Sequence, residues 1–335
     1  MQRGDDVMLL LGRVAAETLR IDGVADVPPL ADAESAQTAV HRALERRPAA
    51  VLTASTCWGL RLEAHATMAA RQRSLPTFTL IDFPSQLRPR LSFPGTDDLG
   101  AMGDHVLAID QEMRRRLVIA GVPENRVVVT GSPAFDGLWE AESLSPAEGD
   151  ATHVLLLSQP IAALHGSDGA VPTFLGYTEG MVLDAVARMI APHGLELRVR
   201  PHPREDESML TKLARELPGR VRVDRTGSLR EAIGRAQWVV GMTSIALVEA
   251  ALLGKTAISV QFDRRGEDPL WTNVSGLTVG VIDREGLAVA VAEALRTARA
   301  PRLARSNMEA LGWAPGAAGR VLACLDAATS SAQHR

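Results

Sequence analysis

The amino-acid sequence predicts an α/β protein made of two doubly wound domains that face each other across a cleft. Three observations predict it. Short runs that are apolar on both faces alternate with helical patterns along the whole chain, as in a parallel sheet covered by helices. The alternation breaks once, at 139–151, in a polar stretch containing Pro146 and Gly149, and then restarts. The length of 335 residues suits two domains better than one.

The elements follow in order. The first half carries strand-like runs at 7–11, 50–53, 77–81, 105–109 and 126–129, with helical stretches at 33–45, 60–73 and 111–120. After the break come strand 153–157, helix 179–191, strand 195–200 and helix 205–217. Strand 221–224, helix 229–236, strand 238–241, helix 245–253 and strand 257–261 continue the pattern. Strand 277–282 and helix 285–297 end it, and 301–327 reads as one or two helices broken at Pro315-Gly316.

Composition narrows the function classes. Hydrophobic residues make up 46% and charged residues 23%, enough apolar content for a sizeable core. The net charge of −4 argues against nucleic acid as a partner, which usually meets a basic face. The two cysteines, Cys57 and Cys324, form no CxxC pair and read as buried free thiols, and no paired-His spacing marks a metal site. The start, Met1-Gln2-Arg3-Gly4-Asp5-Asp6, lacks a signal-peptide layout, and no apolar run is long enough to span a bilayer. A cytoplasmic protein is expected.

The strongest local motif is Arg200-Pro201-His202-Pro203-Arg204, where a strand ends and the next helix begins. In open α/β sheets that edge binds ligands. The two prolines stiffen the loop around His202, and Arg200 and Arg204 offer bidentate phosphate contacts. The second motif is Thr243-Ser244, between a strand and an apolar helix containing Glu249. Free N–H groups and hydroxyls at such a turn take an anion or an ordinary N-cap, and a carboxylate at 249 needs a partner. Ser158 and Gln159 end a strand at the same edge. In the first half, Gly131 and Ser132 follow its last strand beside the expected cleft and hinge. Trp58 follows one strand, with Glu63 and His65 nearby, and Asp82 and Asp110 end two others; any acidic residue there is placed to act as a base toward an acceptor hydroxyl. No G-x-G-x-x-G, G-x-x-x-x-G-K-[ST] or G-x-S-x-G run is present, which disfavours hydride transfer, P-loop hydrolysis and the nucleophile-elbow hydrolases.

Together these elements resemble the GT-B superfamily of nucleotide-sugar enzymes, with two Rossmann-like domains. Residues 104–138 are similar to the end of the N-terminal domain in many such enzymes. Residues 195–260 hold His202-Pro203 and Thr243-Ser244, which match the His-Pro and Ser/Thr pairs that bind nucleotide phosphates in bacterial sialyl, Kdo and glycerophosphate-polymer transferases. Glu249 matches a ribose-contacting glutamate. UDP-N-acetylglucosamine 2-epimerases share the architecture, but their His-Arg and Asp-Ser-Gly-Gly runs are absent, Thr243-Ser244-Ile245-Ala246 standing in place of the latter.

The resemblance implies an inverting, metal-independent glycosyltransferase without a cofactor, acting in surface-glycan synthesis. Its acceptor domain spans 1–138 and lacks the family's first strand–helix unit; a linker at 139–151, a donor domain at 152–300 and C-terminal helices at 301–335 follow. The implied donor is a CMP- or CDP-linked sugar or polyol phosphate, ahead of a UDP-linked one, and the implied acceptor is a glycan or small molecule. Arg200, His202, Pro203, Thr243, Ser244, Glu249, Ser158 and Gln159 face the donor; His202 carries the chemistry together with a first-half carboxylate, for which position suggests Asp82. Peripheral membrane contact and a homodimer fit this scheme. The alternatives are a 2-epimerase or hydrolase on the same fold and a non-catalytic nucleotide-sugar-binding or scaffold protein.

Overall fold

The computed structural model describes residues 32–56, 61–83, 85–93, 95–139, 153–296 and 305–333. The expected first strand at 7–11, Trp58, Cys57 and nearly all of the expected linker lie outside the described residues. The chain divides into two compact units, one formed by residues up to Pro133 together with Gly312 onward, the other by Ala134–Leu311.

In the first unit, β1 (Val51–Thr53), β2 (Thr77–Leu80), β3 (His105–Ala108) and β4 (Val127–Val129) form a parallel sheet in sequence order. Helix Ala33–Glu45 starts on a reciprocal cap: Asp32 accepts from Ser35 N at 2.7 Å, and the Ser35 hydroxyl accepts from Asp32 N. Helices Leu62–Arg71 and Gln111–Ile119 cover the sheet as expected. A short helix at Leu87–Leu91 was not expected, because it contains Pro89. At its third position the missing N–H costs nothing, since no first-turn N–H has an intrahelical partner.

The C-terminal helix Ala317–Gln333 belongs to this unit, 184 residues beyond Pro133 at its start. Val321 and Cys324 pack against Phe78 and Leu107 of the sheet. Gly131, just after β4, has φ +80, and a Cβ there would lie 2.9 Å from Arg320 Nη2 and 3.0 Å from Ala317 Cβ. Only glycine accepts both that backbone and that approach. Arg320 Nε donates to the Thr130 carbonyl at 2.8 Å, and its other nitrogens bond the carbonyls of Pro315 and Ala314.

In the second unit, β5 (His153–Leu157), β6 (Glu196–Arg200), β7 (Arg220–Val223), β8 (Trp238–Gly241), β9 (Ala257–Val260) and β10 (Val279–Val281) form one parallel sheet in the order β10-β9-β8-β5-β6-β7. The chain winds outward from β5 to β7, then returns to β8 on the other side of β5 and winds outward again. The order reverses between β5 and β8, which makes the gap beyond their carboxyl ends the place for a ligand. Every residue of β5, β8 and β9 is buried. Val154, Leu156, Val240 and Ile258 join Val182, Leu183 and Val186 of helix Glu179–Ile190 in the core. Truncating Leu156 to Ala in such surroundings costs about 2–5 kcal/mol.

Candidate functional site

The β5/β8 gap is closed by side chains that follow the two strands. Gln159, two residues past β5, accepts from the backbone N of Thr243 at 2.8 Å and donates to the Thr243 hydroxyl at 3.2 Å. Ser158 donates its hydroxyl to Glu205 Oε1 at 2.6 Å. Glu205 Oε2 in turn accepts from the backbone N of His202 at 2.5 Å. The loops after β5, β6 and β8 are therefore joined side by side, and Ser158, Gln159, His202 and Thr243 stand at one sheet edge.

His202 sits between buried Pro201 and exposed Pro203. Its Nδ1 accepts from Arg204 N at 3.2 Å. The neutral ring therefore carries its hydrogen on Nε2, as a donor. Burial, then the Arg204 and Arg225 charges, hold this imidazole below the usual histidine range. At neutral pH it offers an uncharged N–H.

Thr243 and Ser244 precede helix Ala246–Leu252. Ile245 is its N-cap and has no side-chain cap bond, while one residue earlier the Ser244 hydroxyl accepts from Ala246 N at 3.3 Å and its carbonyl from Leu247 N at 3.0 Å. The N–H groups of Ser244 and Ile245 have no hydrogen-bond partner among the described residues. The Ser244 hydroxyl and carbonyl thus serve the start of the helix, while the two preceding N–H groups stay unpaired among the described residues. Glu249, on the same helix, is half-buried and has no partner among the described residues. Burial alone raises its carboxyl.

The two arginines of the motif differ. Arg200 donates to the carbonyls of Thr226 (3.2 Å) and Gly227 (2.8 Å), fastening the turn after β7. Arg204 is exposed, with no side-chain partner among the described residues. Glu205 and Arg225, both part of the linkage around His202, were missed from sequence. Glu205 was assigned to a helix at 205–217, whereas the helix is Glu207–Glu216 and Asp206 caps it. Three polar residues in a row, Arg204-Glu205-Asp206, gave no sign of which one capped.

In the first unit, Asp82 forms an ion pair with Arg90 at 3.0 Å and keeps 65% of its side chain exposed. Arg90 also donates to the Ser55 carbonyl at 2.8 Å. Asp110, also at a strand end, is buried and caps the next helix through Met113 N at 2.7 Å. Gly131 is pinned by the C-terminal helix, and Ser132 beside it is half-buried. Among the described residues no group of three or more His, Cys, Asp or Glu could hold a metal ion, and no helix is long and apolar enough to cross a membrane.

Two parallel sheets with helical covering, the second wound in both directions, make this an α/β protein of the GT-B-like architecture. No protein-family model matches the chain, and no curated protein matches its sequence. Solved structures are similar in fold. A putative UDP-N-acetylglucosamine 2-epimerase from Listeria monocytogenes superposes with a TM-score of 0.60 at 14% identity, over 89% of this chain and 80% of that one. The UDP-GlcNAc 2-epimerase from Neisseria meningitidis bound to UDP-GlcNAc gives 0.53 at 12% identity, over 87% and 80%. Anabaena HepE in complex with UDP and glucose gives 0.56 at 13%, over 89% and 82%. The 2-epimerases, more distant than the transferases in the sequence resemblance, stand prominently among the structural neighbours.

Proposed function

We propose that this chain is a nucleotide-sugar-processing enzyme whose second unit binds the nucleoside diphosphate of its substrate at the β5/β8 edge. The observation that carries the reading is the junction itself. His202, Ser158, Gln159 and Thr243 are linked at the point where the strand order reverses, and the free N–H groups of Ser244 and Ile245 lie in the same turn as Thr243. A neutral imidazole N–H and two backbone N–H groups suit the charge that grows on a departing diphosphate. The Glu249 carboxylate, without a partner, suits a ribose hydroxyl.

Departure of the diphosphate from the anomeric carbon is common to epimerisation through elimination, to hydrolysis and to glycosyl transfer. The epimerase or hydrolase reading is the better supported, because neighbours of similar fold are UDP-GlcNAc 2-epimerases. Those bound ligands favour a UDP-linked substrate over a CMP- or CDP-linked one. Glycosyl transfer is the second reading, favoured by Thr243-Ser244-Ile245-Ala246 where the epimerase resemblance calls for a glycine-rich run.

The test is to incubate the protein with UDP-GlcNAc alone and follow the sugar by proton NMR. Appearance of the C2 epimer or of free sugar supports the first reading. Binding of UDP-GlcNAc with no turnover until an acceptor is added supports transfer. Failure of UDP, CDP, CMP, GDP and ADP alike to raise the melting temperature would reject the nucleotide site.

A further inference from the structure

Both polar groups of the His202 backbone are held by side chains. Its N–H donates to Glu205 Oε2 at 2.5 Å, and its carbonyl accepts from Arg225 Nη2 at 3.1 Å as well as from Glu205 N at 2.9 Å. The same Arg225 nitrogen donates to the Glu205 carbonyl at 3.0 Å, and Arg225 Nε pairs with Glu207 at 3.1 Å. The second Glu205 oxygen takes the hydroxyl of Ser158, at the end of central strand β5. Glu205 thereby ties the imidazole-bearing loop to the part of the sheet where the strand order reverses.

The helix that follows does not require a carboxylate at this point. The following helix is capped by Asp206, which accepts from Ser208 N at 2.9 Å. The position is also unfavourable for charge, since burial and the nearby Glu179 carboxylate both push the Glu205 carboxyl up, while its bonds to Ser158 and His202 and the Arg225 charge act the other way. A half-buried acid with two short bonds to the loop and strand of the candidate site is doing a geometric task.

We propose that Glu205 is the positioning residue for His202, fixing the loop so that the imidazole presents Nε2–H at the sheet edge, with Arg225 holding the other side of the same residue. The binding consequence rests on the reading of His202 as a phosphate donor; the geometric claim does not.

Two substitutions of Glu205, a His202→Ala background and two measurements test it. Glutamine at 205 keeps both bonds, accepting from His202 N with Oε1 and donating to Ser158 with Nε2, but loses the charge; alanine loses both. Nitrogen-15 spectra of the His202 imidazole read the geometry, and calorimetric titration with UDP reads the consequence. Glu205→Ala is expected to move the His202 ring resonances away from the Nε2–H pattern and to weaken UDP binding by about tenfold or more, a change of one decade in Kd. Glu205→Gln is expected to keep the wild-type spectrum and to stay within about threefold in affinity. In a His202→Ala background, Glu205→Ala should add no further loss, because the effect runs through the imidazole.

Unchanged His202 spectra in Glu205→Ala would overturn the proposal even if the melting temperature fell. Equal damage from Glu205→Gln and Glu205→Ala would overturn it too, since charge rather than geometry would then matter. A wild-type protein that binds no UDP would instead reject the nucleotide reading, and the spectra would still decide the role of Glu205.

Discussion

If Glu249 meets a ribose hydroxyl as proposed, replacing it should move the stability of the free protein and its ligand affinity in opposite directions. The side chain is half-buried on an otherwise apolar helix, Ala246–Leu252, with no partner among the described residues. Its carboxylate oxygens are not among the buried polar atoms without a partner, so the cost is that of partial desolvation, on the order of 1 kcal/mol at most. Glu249→Leu removes that cost, so the free protein should melt higher, by up to roughly 2–4 °C for units of this size. The bound state should lose a charge-assisted hydrogen bond to a ribose hydroxyl, about 1.5–3 kcal/mol, or roughly 10–100-fold in the Kd for UDP. Glu249→Gln should give a smaller version of both effects. The sign in pH is fixed as well. A carboxyl raised by burial favours the folded state below its unfolded pKa and loses that contribution as pH rises through its folded value. Wild type should therefore be relatively more stable toward the acid side, and Glu249→Gln should lack that component. Scanning fluorimetry with and without UDP, together with calorimetric titration, reads all of this. A drop in the melting point of ligand-free Glu249→Leu, or unchanged UDP affinity, would refute the assignment.

Three further outcomes are expected. His153 is 3% exposed at the start of β5, and burial, then the Arg198 charge, depress its imidazole to about 4. The unfolded state takes up a proton near pH 6.5 and the folded state only near 4, so stability should fall as pH drops through that window, by up to about 3 kcal/mol. Urea titrations at pH 7 and 4.5 should show this slope in wild type and its loss in His153→Phe. Gly131→Ala should lower the melting temperature of the first unit by a cost of about 1–3 kcal/mol, because of the positive φ and the approach of Arg320 and Ala317; an unchanged melting point would mean that the C-terminal helix yields. Arg204→Ala should weaken UDP binding and flatten its salt dependence, whereas Arg200→Ala should chiefly destabilise the turn at Thr226 and Gly227; the reverse pattern, read by titration at two salt concentrations and by melting, would exchange their roles.

Much of the fold was legible because parallel strands advertise themselves. The run His153–Leu157 is buried throughout, and its last four residues, Val154–Leu157, are all apolar. The strand order was not legible, since nothing local in Trp238–Gly241 says that it will lie beside β5 rather than beyond β7. The partnership of Arg320 with Thr130 spans 190 residues and left no trace at either end. The candidate site was half legible. His202, Thr243 and Gln159 were visible as polar residues at strand ends, which is a statement about position. Glu205, Arg225 and the engagement of Arg200 depend on which side chain turns toward which backbone, and that is decided by packing.

The charge arrangement at the β5/β8 edge ties these points together. Arg200 and Arg225 turn their guanidinium groups onto backbone carbonyls, and the imidazole of His202 is held toward its neutral form. On the proposed reading, the donors left for a diphosphate are mostly uncharged dipoles: Nε2–H of His202 and the N–H groups of Ser244 and Ile245, with exposed Arg204 at the margin. Fixed neutral donors need no reorganisation when a bond breaks beside them, so they favour the state in which the diphosphate carries more charge over the state in which it is still esterified. That preference serves elimination, hydrolysis and transfer alike. The group that distinguishes them must act on the sugar or on its acceptor, and the carboxylate expected for that task from sequence, Asp82, is already paired with Arg90.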